Sequence, residues 1–345
     1  MSQANIDNKQ GISLTSILIV VFGLAVGFML GIFLPRYLPG MEVSELAVVS
    51  SPFAANPNNI LGQSDTYSDG SDVSSSETEN VQIENISFDI QDRADLIPID
   101  EQETYVKWML ENTDEEQEYL EERWALSQKF IKSAELQGQG TIAGFLSAPR
   151  EHFVREKNIE RAYDDTWLPI GYGATITDPD VVAMMTTTLN LRPDHSVLEI
   201  GTGSGYQSAI LSNISNNVFS IEIIEPLYYE TTELYDDLTL AYPNYTNIKR
   251  KLSDGYYGWQ KYAPFDRIIV TCSIDHLPPP LIRQLAPDGI MVVPLGPPGR
   301  QNIMEVKKIV NSDGGIQLKR RDVYNGVGVR FIPFRDEQGE SYSRQ

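Results

Sequence analysis

Three glycines at alternate positions, Gly201, Gly203 and Gly205, follow the apolar run of Val197, Leu198 and Ile200 and precede a helix-forming stretch from Gln207 to Leu211. Glycine permits tight turning and close approach of the backbone to a ligand, and a helix starting just beyond directs unpaired N–H groups at it. The arrangement suits a nucleotide-like cofactor. A dinucleotide fingerprint, Gly-x-Gly-x-x-Gly, would need its last glycine at position 206, where the chain has Tyr206. The observed spacing, with Thr202 inside the turn and the acid Glu199 before it, favours S-adenosylmethionine over NAD; a ligand-free turn is the third reading. About twenty residues on, Ser220-Ile-Glu222 ends the next apolar run with a carboxylate suited to accept hydrogen bonds from a ribose diol.

These residues need a scaffold that brings strand ends together. Beyond Asp194, apolar runs at 197–200, 218–223, 267–271 and 290–294 alternate with helical or loop stretches such as 226–240 and 279–285. Such alternation predicts an α/β, Rossmann-like fold with a parallel sheet covered on both faces. Ligands of these sheets bind at the carboxyl ends of the strands, where Gly201, Glu222 and Asp254 fall. The expected cofactor set is therefore Glu199, Gly201, Thr202, Gly203, Gly205, Glu222, Asp254 and Gly255, with Glu199 reaching the methionine amino group directly or through water. Upstream, residues 101–136 read as a helical lead-in, because Val106, Leu110, Leu120, Trp124, Leu126 and Ile131 recur among charges at three-to-four spacing before Gly138 and Gly140. The α/β domain that carries this site is expected over 137–345.

Ala148-Pro-Arg-Glu-His-Phe-Val154 and Leu168-Pro-Ile-Gly-Tyr-Gly-Ala-Thr-Ile-Thr-Asp-Pro179 precede the glycine turn, and Ser253-Asp-Gly-Tyr-Tyr-Gly-Trp259, Ala263-Pro-Phe-Asp266 and Arg330-Phe-Ile-Pro-Phe334 follow it. In that order these segments resemble the signatures of the protein-L-isoaspartate O-methyltransferases. The resemblance implies a class I S-adenosylmethionine-dependent methyltransferase fold. It also implies methyl transfer to the free carboxylate of L-isoaspartyl residues in damaged proteins or peptides, which initiates repair through a succinimide. By the same resemblance Thr177 positions the substrate carboxylate with the backbone of Ala174, Thr175 and Ile176, while Arg330, Phe331 and Ile332 lie along the peptide. The family usually has serine where this chain has Thr177, whose extra methyl restricts the rotamer while the hydroxyl is kept. The run from Cys272 to Pro278 also departs from the family's small, proline-rich segment. These departures leave open a peptide carboxyl methyltransferase with a different substrate. A membrane scaffold without turnover is a further alternative, against which the intact Gly201, Glu222 and Asp254 set speaks.

The rest of the chain bounds its setting. No charged residue occurs from Ile12 to Leu34, long enough as a helix to cross about 30 Å of hydrocarbon, so a single transmembrane helix is expected within residues 1–39. Its flanks balance, Lys9 against Arg36; because S-adenosylmethionine is kept inside cells, a cytoplasmic catalytic domain is expected. Gly23, Gly27 and Gly31 form a small-residue face along which two anchors could pair. Residues 40–100 are acidic and serine-rich, a self-repelling disordered linker by composition. The net charge of −21 argues against nucleic acid, and the basic runs Lys249-Arg-Lys251 and Lys319-Arg-Arg321 fit solvated strand edges. Cys272 is the only cysteine, which excludes an intrachain disulfide and a thiolate cluster, and His152 and His195 lack ligand spacing, so no metal is expected.

Overall fold

The computed structural model describes residues 97–343. The expected anchor at 12–34, its Gly23, Gly27 and Gly31 face, and the linker up to residue 96 lie outside them. Among the described residues no helix is long and apolar enough to cross a membrane. In chain order the helices are α1 Gln102–Asn112, α2 Gln117–Lys132, α3 Gln139–Leu146, α4 Pro179–Leu189, α5 Tyr206–Ser212, α6 Glu225–Leu238 and α7 Pro279–Gln284. The strands are β1 Leu168–Gly171, β2 Ala174–Ile176, β3 Ser196–Ile200, β4 Asn217–Glu222, β5 Ile248–Leu252, β6 Phe265–Val270, β7 Leu285–Leu295, β8 Asn302–Val310 and β9 Ile316–Asp322.

Strands β3 to β9 form one seven-stranded sheet in the order β5-β4-β3-β6-β7-β8-β9, while β1 and β2 pair as a separate hairpin. Pairing is parallel from β5 through β7 and antiparallel at β7–β8 and β8–β9. Alternate residues of the central strands feed two cores. Val197, Val218, Ile269 and Val292 pack with α3 to α6, and Leu198, Phe219, Ile268 and Met291 pack with α7 and the turns around Trp259 and Tyr262. Burial on both faces is what a parallel sheet requires, and it explains why β3 and β6 read as nearly unbroken apolar runs. Both basic runs lie on the edge strands, β5 and β9, where lysine and arginine discourage further pairing.

The stretch expected as one helix from 101 to 136 is two. Thr113 breaks it: its hydroxyl donates to the Met109 carbonyl at 2.8 Å, and its backbone is extended. The chain then folds back so that Tyr105 lies 5.3 Å from Trp124, ring to ring. Ile97 is buried in the same small core with Met109, Leu120 and Leu146. The linker, expected to reach residue 100, therefore gives way to packed structure by residue 97, since Ile97 has an apolar surface to join. Two further boundaries differ. Gly138 does not end the lead-in but supplies the residue before α3, and β7 begins at Leu285 directly after α7 rather than at Ile290.

A buried arginine fastens α2 to the segment from Leu146 to Tyr163. Arg123, fully buried, pairs with Glu115 and with Glu151 at 3.2 Å, and donates to the Tyr163 hydroxyl at 2.7 Å and the Leu146 carbonyl at 3.0 Å. Removing one partner of such a network leaves uncompensated charge in the interior. Arg123→Ala should lower the unfolding free energy by about 3–5 kcal/mol, read by denaturant titration; a loss below about 1 kcal/mol would mean the network is solvated in solution.

Candidate active site

The glycine turn leaves the carboxyl end of β3 and enters α5, beside the carboxyl ends of β4 and β6. There the structure opens a cavity of about 1030 Å³, part of it open to solvent. It is bordered by Gly201 to Ser204, by Glu222 to Ile224 after β4, by Gly255, by Thr271 and Cys272, by Ala174 to Thr177, and by Phe331 to Arg335. Of the expected residues, Gly201, Thr202, Gly203, Glu222, Gly255, Ala174, Thr175, Ile176, Thr177, Phe331 and Ile332 border this space. Glu199, Gly205, Asp254 and Arg330 do not.

Each exception has a reason. Gly203 has φ +55°, and a Cβ there would project into room, with Ile170 the nearest atom at 3.7 Å. Gly205 has φ +92°, and a Cβ would strike the Tyr235 hydroxyl at 2.7 Å and Thr231 at 2.8 Å, so this glycine serves the packing of α6 rather than a ligand. Those two α6 residues clamp the turn: Thr231 donates to the Gly203 carbonyl at 2.7 Å and Tyr235 to the Gly205 carbonyl at 2.5 Å. Arg330 is exposed beyond the cavity, whereas its neighbours are held inward because Ser273 N donates to the Ile332 carbonyl and Phe334 N to the Ser273 carbonyl, both at 2.8 Å.

Glu199 is fully buried behind the turn, where its carboxylate accepts from the Ser208 and Ser220 hydroxyls and its Oε1 has no partner. The methionine amino group expected at Glu199 would have no open path to it. Burial pushes its carboxyl up to about 8 against the opposing pull of the two serines. Asp254 is buried, accepting from Tyr256 N at 2.8 Å and from the Tyr342 hydroxyl at 2.5 Å. Glu222 borders the cavity and also braces it. Its Oε2 accepts from Gly203 N at 2.7 Å, and its Oε1 from Ile223 N and Ile224 N at 2.9 and 2.8 Å. Burial raises its pKa, and these amides oppose the rise. Four acceptor sites on a carboxylate with three donors in place leave capacity for a ligand hydroxyl.

Thr177 follows β2, and among the described residues its side-chain hydroxyl makes no hydrogen bond. Its carbonyl accepts from Arg150 Nη2 at 2.9 Å. Arg150 is fully buried, donates from Nε to the Ala162 carbonyl at 2.8 Å, and lies 4.8 Å over the Tyr206 ring. Sequence reasoning missed this residue as a support for the site, though the Ala-Pro-Arg-Glu-His-Phe signature contained it. Cys272 borders the cavity with its thiol pushed up by burial. His276 bonds Asp275 at 2.6 Å and the Tyr256 hydroxyl at 3.1 Å, leaving no nucleophile–base pair with Cys272. His152 is exposed, and His195 Nδ1 accepts from Arg192 N in a tight turn. Among the described residues no cluster of potential metal ligands occurs.

A family model described as protein-L-isoaspartate(D-aspartate) O-methyltransferase matches residues 122–339. The chain belongs to this family. Protein-L-isoaspartate O-methyltransferase 2 of Shewanella sediminis is 42% identical over 197 residues, 57% of this chain and 79% of that protein. Protein-L-isoaspartate O-methyltransferase 1 of Nitrosospira multiformis is 45% identical over 199 residues, covering 57% and 79%. Among solved structures, one named protein-L-isoaspartate O-methyltransferase matches with a TM-score of 0.53 at 25% identity, covering 63% of this chain and 67% of that one. Another, from Plasmodium falciparum in complex with S-adenosyl-L-homocysteine, has a TM-score of 0.51 at 22% identity, covers 61% and 97%, and shares the fold. The Rossmann-like class I methyltransferase architecture is thereby established for the mostly parallel sheet described above.

The buried acid behind the turn gives a pH signature. A glutamate at about 8 when folded binds a proton that the unfolded chain has released above its ordinary value, so its contribution is full below about pH 4.5 and lost as pH rises through about 8. Glu199→Gln, which mimics the protonated form, should flatten the fall in stability between about pH 5 and about pH 8, a slope of up to about 1.4 kcal/mol per pH unit. Parallel stability–pH curves for the two proteins would show that Glu199 is ionised in the native state.

Proposed function

We infer that the chain transfers the methyl group of S-adenosylmethionine to the free carboxylate of L-isoaspartyl residues in damaged proteins or peptides, initiating repair through a succinimide. The observation that carries this reading is the meeting of Thr177, the glycine turn and Glu222 around one cavity, in a chain of this family. The residues present fit the cofactor: Gly203 leaves room where a side chain would intrude, and Glu222 retains acceptor capacity toward a ribose. Bound there, S-adenosylmethionine supplies an electrophilic methyl on sulfur. The accepting carboxylate is ionised near neutrality, with an ordinary pKa of about 4, so the protein needs no general base.

The protein's task is to orient and to exclude water. Thr177 offers a hydroxyl donor without a competing partner, on a backbone held by buried Arg150. Ile176, Phe331 and Ile332 supply apolar walls that keep solvent from the attacking oxygen. Thr177→Val preserves shape and removes the donor. It should lower kcat/KM on an isoaspartyl peptide about tenfold, the worth of one hydrogen bond of ~1.4 kcal/mol, with cofactor affinity unchanged. Thr177→Ser should retain activity. Equal activity in Thr177→Val and wild type would remove the positioning role, and equal methylation of matched isoaspartyl and aspartyl peptides would favour a changed substrate, the alternative that the threonine in place of serine raises.

The uncharged segment from Ile12 to Leu34 supports a single-pass anchor in a lipid bilayer, the acidic stretch after it supports a tether, and the cofactor's cellular location supports a cytoplasmic catalytic domain. Gly23, Gly27 and Gly31 would allow two anchors to pair. Removing residues 1–39 should move the protein to the soluble fraction with its activity on free peptides nearly unchanged. Retention of the truncated protein on membranes after a salt wash, or digestion of the domain by protease added outside intact cells, would defeat this placement.

A further inference from the structure

The chain's last described residues fold back onto the cofactor site. Phe334 to Tyr342 form a small hairpin: Tyr342 N donates to the Phe334 carbonyl at 3.1 Å, Asp336 N to the Glu340 carbonyl at 2.9 Å, and Arg335 and Ser341 pair as an antiparallel bridge. The hairpin places the Tyr342 ring 4.1 Å from Tyr256, stacked at 18°, with Phe334 edge-on at 5.8 Å. From there the Tyr342 hydroxyl donates to Asp254 Oδ2 at 2.5 Å. Gly255, Phe334 and Arg335 border the cavity, whereas Asp254 and Tyr342 do not. Tyr342 also lies beyond the part of the chain that the family model matches, which stops at 339.

The order of strand ends says what belongs beside Gly255. The glycine turn follows β3, Glu222 ends the neighbouring β4, and β5, paired to β4 with Leu252 opposite Glu222, leads into Asp254. An adenosyl group whose ribose was held by Glu222 would have its base on the side of β5, where Gly255 borders the cavity and Asp254 precedes it. Adenine has one exocyclic donor, its amino group, and a buried carboxylate is its natural acceptor. Asp254 Oδ1 accepts from the Tyr256 amide and Oδ2 from Tyr342; the carboxylate has further acceptor sites, but with Tyr342 against it Asp254 is 4% exposed and does not border the cavity.

We propose that Tyr342 latches the C-terminal hairpin over Asp254, and that the hairpin must leave Asp254 for S-adenosylmethionine or its product to bind fully. This rests on the cofactor reading above. The apparent dissociation constant is then the intrinsic one divided by the fraction of molecules with the hairpin withdrawn. The hairpin sets cofactor affinity without touching the reacting atoms.

The test uses the full chain and S-adenosylhomocysteine, with calorimetry and amide hydrogen exchange. Tyr342→Phe keeps the ring and its stacking but removes the latching hydrogen bond, and should tighten binding about 3- to 10-fold, the range for one released hydrogen bond. Deleting residues 336–345 should tighten it at least as much. In the wild type, saturating ligand should speed exchange at the Asp336, Gly339 and Tyr342 amides while slowing exchange at the Gly203 turn. Unchanged or weaker binding in both variants, or slower exchange of the hairpin with ligand, would overturn the proposal and make the hairpin part of the ligand's wall. A wild-type protein that binds no S-adenosylhomocysteine would instead overturn the cofactor reading, and this proposal with it.

Discussion

The site depends on how the glycine turn is held. A backbone with three left-handed glycines is pliable by itself, since each glycine carries more conformational freedom than any other residue. Here it is fixed from two sides: Glu222 on β4 takes the Gly203 amide, and Thr231 and Tyr235 on α6 take the Gly203 and Gly205 carbonyls. The residue suited to bind a ribose is thus the same one that shapes the turn beside it. A bound diol would meet a carboxylate already oriented by three backbone amides, so little ordering entropy remains to be lost when it arrives.

The interior carries charge in two styles. Arg123 is surrounded by Glu115, Glu151 and Tyr163, a closed network whose effect is to fix α2 against the segment from Leu146 to Tyr163. Arg150 has no carboxylate at hydrogen-bonding distance; carbonyl oxygens and the face of Tyr206 receive it, and burial lowers its pKa. A guanidinium tolerates this better than an ammonium because it is more weakly hydrated and can lie on a ring. Its position between the Thr177 carbonyl and Tyr206 links the substrate side of the cavity to the first residue of α5.

What the sequence made legible follows from periodicity and from glycine. That β3, β4 and β6 join a parallel sheet was readable because strands buried on both faces are continuously apolar, and the turn was readable because its left-handed angles favour glycine. What escaped were relations between distant residues. Nothing in local spacing says that Gly205 faces Tyr235 rather than a ligand, that Glu199 turns away from the cavity toward Ser208 and Ser220, or that Thr113 reverses the lead-in.

The lead-in helices and the substrate loop are closer in structure than in sequence. Arg123 on α2 binds Glu151, and the next residue back, Arg150, binds the carbonyl of Thr177. Both arginines also reach Tyr163, whose hydroxyl accepts from Arg123 Nε and from the Arg150 amide. Three segments therefore share one buried polar centre, in which most groups find partners while Glu115 Oε1 and Arg150 Nη1 find none among the described residues. A change in how α2 sits cannot be absorbed at Arg123 alone, because Glu151 and Tyr163 would lose partners with it. The family match beginning at residue 122, inside α2, fits this reading: the helix that bears Arg123 is part of the site's support and not merely its connection to the chain upstream.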